Sequence, residues 1–221
     1  KNRPIIPGHE TVGIITHIGK DVKDFKIGDR VGFGTCRDFC AQCRQCSKGN
    51  NHLCTGQVDQ AYTYGELYWG GYATALQQPA KLFFKLPENL PEEDIPPLFC
   101  AGVTTFSPVA KFCQPGDEVA VAGIGGLGHL AVRYAKAWGC KVTALTTSKG
   151  KEEFLKKLGA DRVVVITEEG AFEKEAGKYD VLFNASPVSD EKSFANYFNL
   201  LDTQGVWVQL GAPEVKSTVP V

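Results

Sequence analysis

The stretch Val119-Ala120-Val121-Ala122-Gly123-Ile124-Gly125-Gly126-Leu127-Gly128 decides the fold. Four small apolar residues read as a buried strand, and glycines follow at once in the spacing G-x-G-x-x-G. A helical pattern then opens, because Leu127, Leu130, Ala131, Tyr134, Ala135 and Trp138 recur at helical intervals and make one apolar face. Gly139 stands where a helix stop is expected. Between a strand and a helix each glycine has a physical task. Gly123 permits a tight turn, Gly125 lets the backbone approach a pyrophosphate, and Gly128 allows close packing of helix on sheet. Gly126 and Leu127 open the helix, whose N-terminus attracts negative charge. The loop therefore reads as a dinucleotide site; the competing reading is a glycine-rich turn without a ligand.

Working outward, strands over 118–122, 141–146, 162–166, 179–184 and 205–210 alternate with helices over 126–138, 151–158 and 191–201. Such alternation predicts a parallel α/β sheet. Five strands are one fewer than a complete doubly wound dinucleotide fold, so the last strand is expected beyond Val221. Upstream, prolines at 87, 91, 96 and 97 exclude a long helix and mark the approach to a domain boundary. Residues 1–100, rich in Gly and Pro with short alternating runs at 11–15 and 29–33, read as mostly β. The predicted division is 1–100 and 101–221.

The second strand ends in Thr146-Thr147-Ser148-Lys149-Gly150-Lys151, where an NAD site would carry an Asp or Glu for the ribose 2′-hydroxyl. Thr146, Thr147, Ser148 and Lys151 instead offer hydroxyl and ammonium donors suited to a 2′-phosphate, which favours NADP. The alternative is an ordinary helix cap and first turn, where Ser and Thr occur without any ligand.

Cys40, Cys43, Cys46 and Cys54 form C-x2-C-x2-C-x7-C within a loop at 36–54. Four thiolates so spaced suit tetrahedral Zn²⁺ in a closed structural site. A loop of reduced cysteines and an iron–sulfur cluster are the alternatives. Cys36 and His52 lie close enough in sequence to substitute as ligands, but read more simply as a spare thiol and a loop histidine.

Composition sets the outer bounds. Hydrophobic residues make up 43% and charged residues 22% of 221, an ordinary globular balance that argues against disorder. A formal net charge of -1 with signs interspersed offers no footprint for nucleic acid. There is no run of about 20 apolar residues to cross a membrane and no secretory leader, so a cytoplasmic location is expected. The eight cysteines then favour metal ligation over disulfides. The chain opens at Lys1 and contains no Met, so its natural N-terminus is expected to lie upstream.

Taken together, the chain resembles the zinc-dependent alcohol dehydrogenases of the medium-chain dehydrogenase/reductase superfamily, and more closely their cinnamyl alcohol dehydrogenase-like branch. The likeness rests on Pro7-Gly8-His9-Glu10, Lys26-Ile27-Gly28-Asp29-Arg30-Val31, the four-cysteine loop, Pro97-Leu98-Phe99-Cys100-Ala101-Gly102-Val103-Thr104, the glycine loop and Leu158-Gly159-Ala160-Asp161. The resemblance implies a mostly-β GroES-like catalytic domain followed by a Rossmann domain, both incomplete. It implies His9 and Cys100 as ligands of a catalytic zinc, Glu10 as a nearby or alternative ligand, and Gly211 in the segment 210–212 near the nicotinamide. It implies about two zinc ions per full-length chain, one catalytic and one structural. The family's third ligand, a cysteine, and its proton-relay hydroxyl would lie upstream of Lys1. The expected activity is interconversion of a primary alcohol and its aldehyde with NADP(H), by a homodimer acting on small molecules. An NAD-linked polyol or short-chain alcohol dehydrogenase, and a truncated non-catalytic zinc- and nucleotide-binding protein, are the alternatives. Trp69, Tyr72 and Phe99 are candidates for a substrate pocket, and His17 and His129 are read as structural, His129 as a packing or capping residue.

Overall fold

The computed structural model describes residues 6–36, 38–56, 70–186 and 191–211, without the side chain of Glu191. The chain divides into two compact units, Lys1–Cys100 and Ala101–Val221.

In the first unit three short strands, β1 (Thr11–Ile14), β2 (Arg30–Phe33) and β3 (Phe84–Lys85), form an antiparallel sheet in that order. The central strand is the buried one: Val31 and Phe33 are enclosed, and Phe33 meets the edge of the Phe83 ring at 5.5 Å. Gly32 is required because a Cβ there would run into the Phe99 ring. Arg30 donates to the carbonyls of Pro87, Glu88 and Leu90, so the proline-rich connection is pinned to the sheet by one guanidinium. That connection holds short 3-10 turns at Glu92–Asp94 and Pro96–Phe99. Proline tolerates these because the first turn of a helix needs no backbone donor.

The second unit runs α1 (Ala101–Phe112), β4 (Glu118–Ala122), α2 (Gly126–Ala137), β5 (Lys141–Thr146), α3 (Glu152–Leu158), β6 (Arg162–Val165), α4 (Ala171–Glu175), β7 (Tyr179–Asn184), α5 (Glu191–Phe198) and β8 (Leu201–Gln209). The five strands are all parallel, in the order β6-β5-β4-β7-β8. The order reverses at β4, so its carboxyl end is the switch point where a ligand binds in such sheets. The predicted strands and three helices are present within a few residues. Two helices were not foreseen from sequence. α1 carries Pro108 in its interior, which argues against a helix locally. Packing overrides this: Val109 is fully buried, and the Phe106 ring meets Tyr134 and Trp138 of the α2 end edge-on at 5.5 and 5.9 Å. α4 is too short for its periodicity to register.

The Leu158-Gly159-Ala160-Asp161 motif acquires a structural reason. Gly159 ends α3 at φ +115°, and the Asp161 carboxylate accepts the Val142 N–H at 2.8 Å while its own N–H donates to the Val142 carbonyl at 2.8 Å. Lys136 of α2 closes the same carboxylate at 2.5 Å.

The far end of the sheet from the switch point holds a buried carboxylate. Glu175 accepts from Tyr179 Oη at 2.5 Å, Arg162 at 2.7 Å and Lys178 at 3.2 Å. Burial pushes its pKa up, but these donors together outweigh burial and hold it below the usual carboxylate value. Because the folded pKa is depressed, the stabilisation is present above the unfolded pKa and is lost as pH falls through the folded one. Glu175→Gln is therefore expected to destabilise the protein by about 1–3 kcal/mol at neutral pH in urea unfolding. The gap from the parent should shrink in acid; a gap that widened on acidification would contradict the assigned charge state.

Candidate functional site

The four-cysteine loop is shaped by two short 3-10 turns. Cys46 opens the turn Cys46–Lys48, which stops at Gly49 with φ +80°, and Asn51–Leu53 delivers Cys54. The sulfur atoms of Cys40, Cys43, Cys46 and Cys54 lie within 4.8 Å of one another, with Cys46 and Cys54 buried. Backbone donors point at the sulfurs: Cys43 N–H to Cys40 Sγ at 3.3 Å and Cys40 N–H to Cys54 Sγ at 3.4 Å. A Cβ on Gly56 would lie 2.5 Å from Cys40 Sγ, so glycine is needed against the cluster. The backbone N–H groups of Cys46 and Thr55 pull the Cys43 thiol down to about 5. Burial and the neighbouring thiols push Cys46 up to about 12. Four sulfurs so close cannot all carry charge without a cation among them, so the donor set fits a tetrahedral thiophilic metal. Cys36 and His52 stand outside the group; the Cys36 thiol bonds the Asp38 carbonyl and His52 is exposed.

A second group forms at the edge of β1. His9, Glu10 and Cys100 each bring one ligand atom within 4.8 Å of the others, all three half-buried. Local structure explains the meeting. The segment before His9 turns at Gly8 with φ +98° and is tied down by Gly71 N–H to the Gly8 carbonyl and Tyr72 N–H to the Pro7 carbonyl, both at 2.9 Å. The turn Pro96–Phe99 packs its Phe99 ring onto Gly32 of β2, Gly34 just after that strand lets the Phe99 carbonyl come close, and Cys100 follows. Burial raises the Cys100 thiol pKa, and the Glu10 charge raises it further. One imidazole, one carboxylate and one thiol are the donor types from which catalytic zinc sites are built.

In the glycine loop, Gly123 takes φ +80°, and a Cβ there would lie 2.5 Å from Ser186 N. Gly128 approaches the Gly123 carbonyl too closely for any side chain. Beside Gly125 and Gly126 a Cβ would meet nothing within 4 Å, so these two face open space at the helix N-terminus. That open cradle is where a pyrophosphate fits. At the end of β5, Thr146 is buried and its hydroxyl accepts the Ser148 N–H at 3.1 Å, so it builds the turn. Lys149 pairs with Glu168 at 2.8 Å, whereas Thr147 and Lys151 are exposed and Ser148 is half-buried.

Sequence reasoning missed a polar knot at the carboxyl ends of β7 and β8. Asn184, fully buried, donates to Gln209 at 3.0 Å and accepts the Ser186 N–H at 3.1 Å, while Gln209 donates to the Gly211 carbonyl at 2.7 Å. Only a buried Asn facing a Gln across adjacent strands could have signalled it. Of the pocket candidates, Phe99 is packed on β2, Tyr72 is exposed beside Gly8, and Trp69 lies outside the described residues, as does Ala212.

Comparison with known proteins agrees with this architecture. An alcohol dehydrogenase GroES-like domain model matches residues 1–88 and a zinc-binding dehydrogenase model matches 126–221. A cinnamyl alcohol dehydrogenase 2 from Rauvolfia serpentina is 41% identical over 99% of the chain. The chain belongs to the zinc-dependent alcohol dehydrogenases of the medium-chain superfamily. As in other members, a GroES-like unit precedes a Rossmann unit. This alcohol dehydrogenase-family chain is also 39% identical over 99% of its length to NADP-dependent alcohol dehydrogenase C 1 of Mycolicibacterium smegmatis. Among solved structures, a cinnamyl alcohol dehydrogenase from Sorghum bicolor matches with a TM-score of 0.86 at 35% identity, covering 98% of this chain and 63% of that one. A Helicobacter pylori enzyme of the same type, solved with NADP(H), matches at 0.85 and 32% over 99% of this chain and 63% of that one. The chain spans 62% of the Rauvolfia relative's length and 64% of the Mycolicibacterium relative's. No described helix is long and apolar enough to cross a membrane.

Proposed function

We propose that the protein is a zinc-dependent oxidoreductase that interconverts a primary alcohol and its aldehyde with NADP(H). The observation that carries this reading is the approach of Cys100 to the adjacent pair His9 and Glu10, which brings a thiol, an imidazole and a carboxylate within 4.8 Å of one another. In this reading His9 and Cys100 hold the catalytic metal, with Glu10 a nearby or alternative ligand, and the four cysteines hold the structural one. Bound zinc would polarise the substrate oxygen as a Lewis acid, and the nicotinamide would carry the hydride. The chain's own residues bind and orient. Gly125 and Gly126 leave room for the pyrophosphate, and Thr147, Ser148 and Lys151 receive the 2′-phosphate. The Asn184–Gln209 knot fixes the backbone at Gly211, beside the nicotinamide half. A cytoplasmic homodimer belongs to the same proposal and rests on the family resemblance.

Initial rates of aldehyde reduction with NADPH and NADH in the intact protein test it. NADPH is expected to be preferred. Lys151→Glu should weaken NADPH by roughly 10- to 100-fold, the worth of a charge-assisted hydrogen bond, and leave NADH little changed. Equal use of both cofactors, with Lys151→Glu silent, would favour the NAD-linked alternative.

A further inference from the structure

His129 lies in the first turn of α2, three residues after Gly126 opens it. Its ring does more than fill space. Nδ1 stands 2.9 Å from the Gly125 carbonyl oxygen, and the His129 backbone N–H donates to the same oxygen at 3.0 Å. A carbonyl cannot donate, so Nδ1 carries the proton and the oxygen receives two donors from one residue. The peptide unit joining Gly125 to Gly126 is planar and trans, which sets its C=O and N–H in opposite directions. Fixing the oxygen toward the helix therefore fixes the Gly126 N–H outward. That N–H is one of the first in α2, which have no intrahelical acceptor. Open space flanks this peptide, since a Cβ on Gly125 or on Gly126 would meet nothing within 4 Å. Glycines on both sides widen the rotation open to this peptide, and the backbone bond from residue 129 is one restraint on its oxygen, to which the ring adds a second.

We propose that His129 is a positioning residue for the cofactor: by clamping the Gly125 carbonyl it holds the Gly126 N–H aimed at the pyrophosphate. The inference rests on the glycine loop binding a dinucleotide. It assigns the ring a role through its Nδ1 proton, beyond packing or capping, and leaves Nε2 without a required task.

An Asn side-chain amide can place an N–H where Nδ1 stands, whereas Gln reaches toward the Nε2 position and Leu offers no donor. NADPH dissociation constants from fluorescence quenching should therefore separate the variants. His129→Leu and His129→Gln are expected to bind about tenfold more weakly than the parent, and His129→Asn within about twofold of it. Saturating NADPH should restore kcat in all three, and their melting temperatures should agree. If His129→Leu binds NADPH as tightly as the parent, or if His129→Asn is as weak as His129→Leu, the clamp is wrong and the ring only packs. If the parent itself fails to bind NADPH, the dinucleotide reading fails first, which is a distinct result.

Discussion

Cys100→Ser is expected to lower kcat/KM for aldehyde reduction by about a thousandfold or more, while the melting temperature stays close to that of the parent. The two halves of this expectation come from different features. Cys100 is half-buried at the end of a 3-10 turn, so exchanging sulfur for oxygen leaves no large cavity. Its chemistry, however, has no substitute. A serine hydroxyl stays neutral at physiological pH and is a poor ligand for a borderline-soft ion, which removes one of the two assigned ligands and leaves His9, with Glu10 beside it. The free thiol is held up by burial and by the Glu10 charge, so a cation at this point must repay both when it draws off the proton. Initial rates at saturating NADPH would check the claim, and activity within about tenfold of the parent would remove Cys100 from the site.

Cys46→Ser should behave in the opposite way. Cys46 is buried among the other three sulfurs, and its loop has no strand or α-helix of its own to hold it, only short turns and N–H to sulfur contacts. Metal binding is therefore expected to supply much of the loop's folding free energy. Losing one ligand is expected to lower the melting temperature by roughly 10 °C and to expose the loop to proteolysis. Affinity for NADPH should hold, because the glycine loop belongs to the other compact unit. A melting temperature unchanged by Cys46→Ser would mean that the loop folds without its metal.

How far the sequence could be read follows from how local each feature is. The strand, glycine loop and α2 helix were legible because composition, spacing and helical periodicity agree over one short stretch. The four-cysteine loop was legible because its ligands lie within a few residues of each other. α1 was not, since Pro108 contradicts a helix locally and only packing on α2 restores it. β3 was not, since Phe84 and Lys85 form a strand only by pairing with Val31 and Gly32 across the unit. His9 and Cys100 lie too far apart in sequence for spacing to join them, so resemblance alone brought them together, and the structure supplies the turn at Gly8 and the packing of Phe99 that make the meeting physical. The same limit hid Asn184 and Gln209, whose hydrogen bond exists only once β7 and β8 are side by side.

Two metal groups with different tasks are proposed for the chain, one for chemistry at His9 and Cys100 with Glu10 beside them and one for structure at the four cysteines. Elemental analysis of the intact protein beside its Cys100→Ser variant tests this most directly. About two zinc ions per chain are expected in the parent and about one in the variant. A parent holding about one zinc, with the variant unchanged, would contradict it and leave the four-cysteine loop as the protein's metal site.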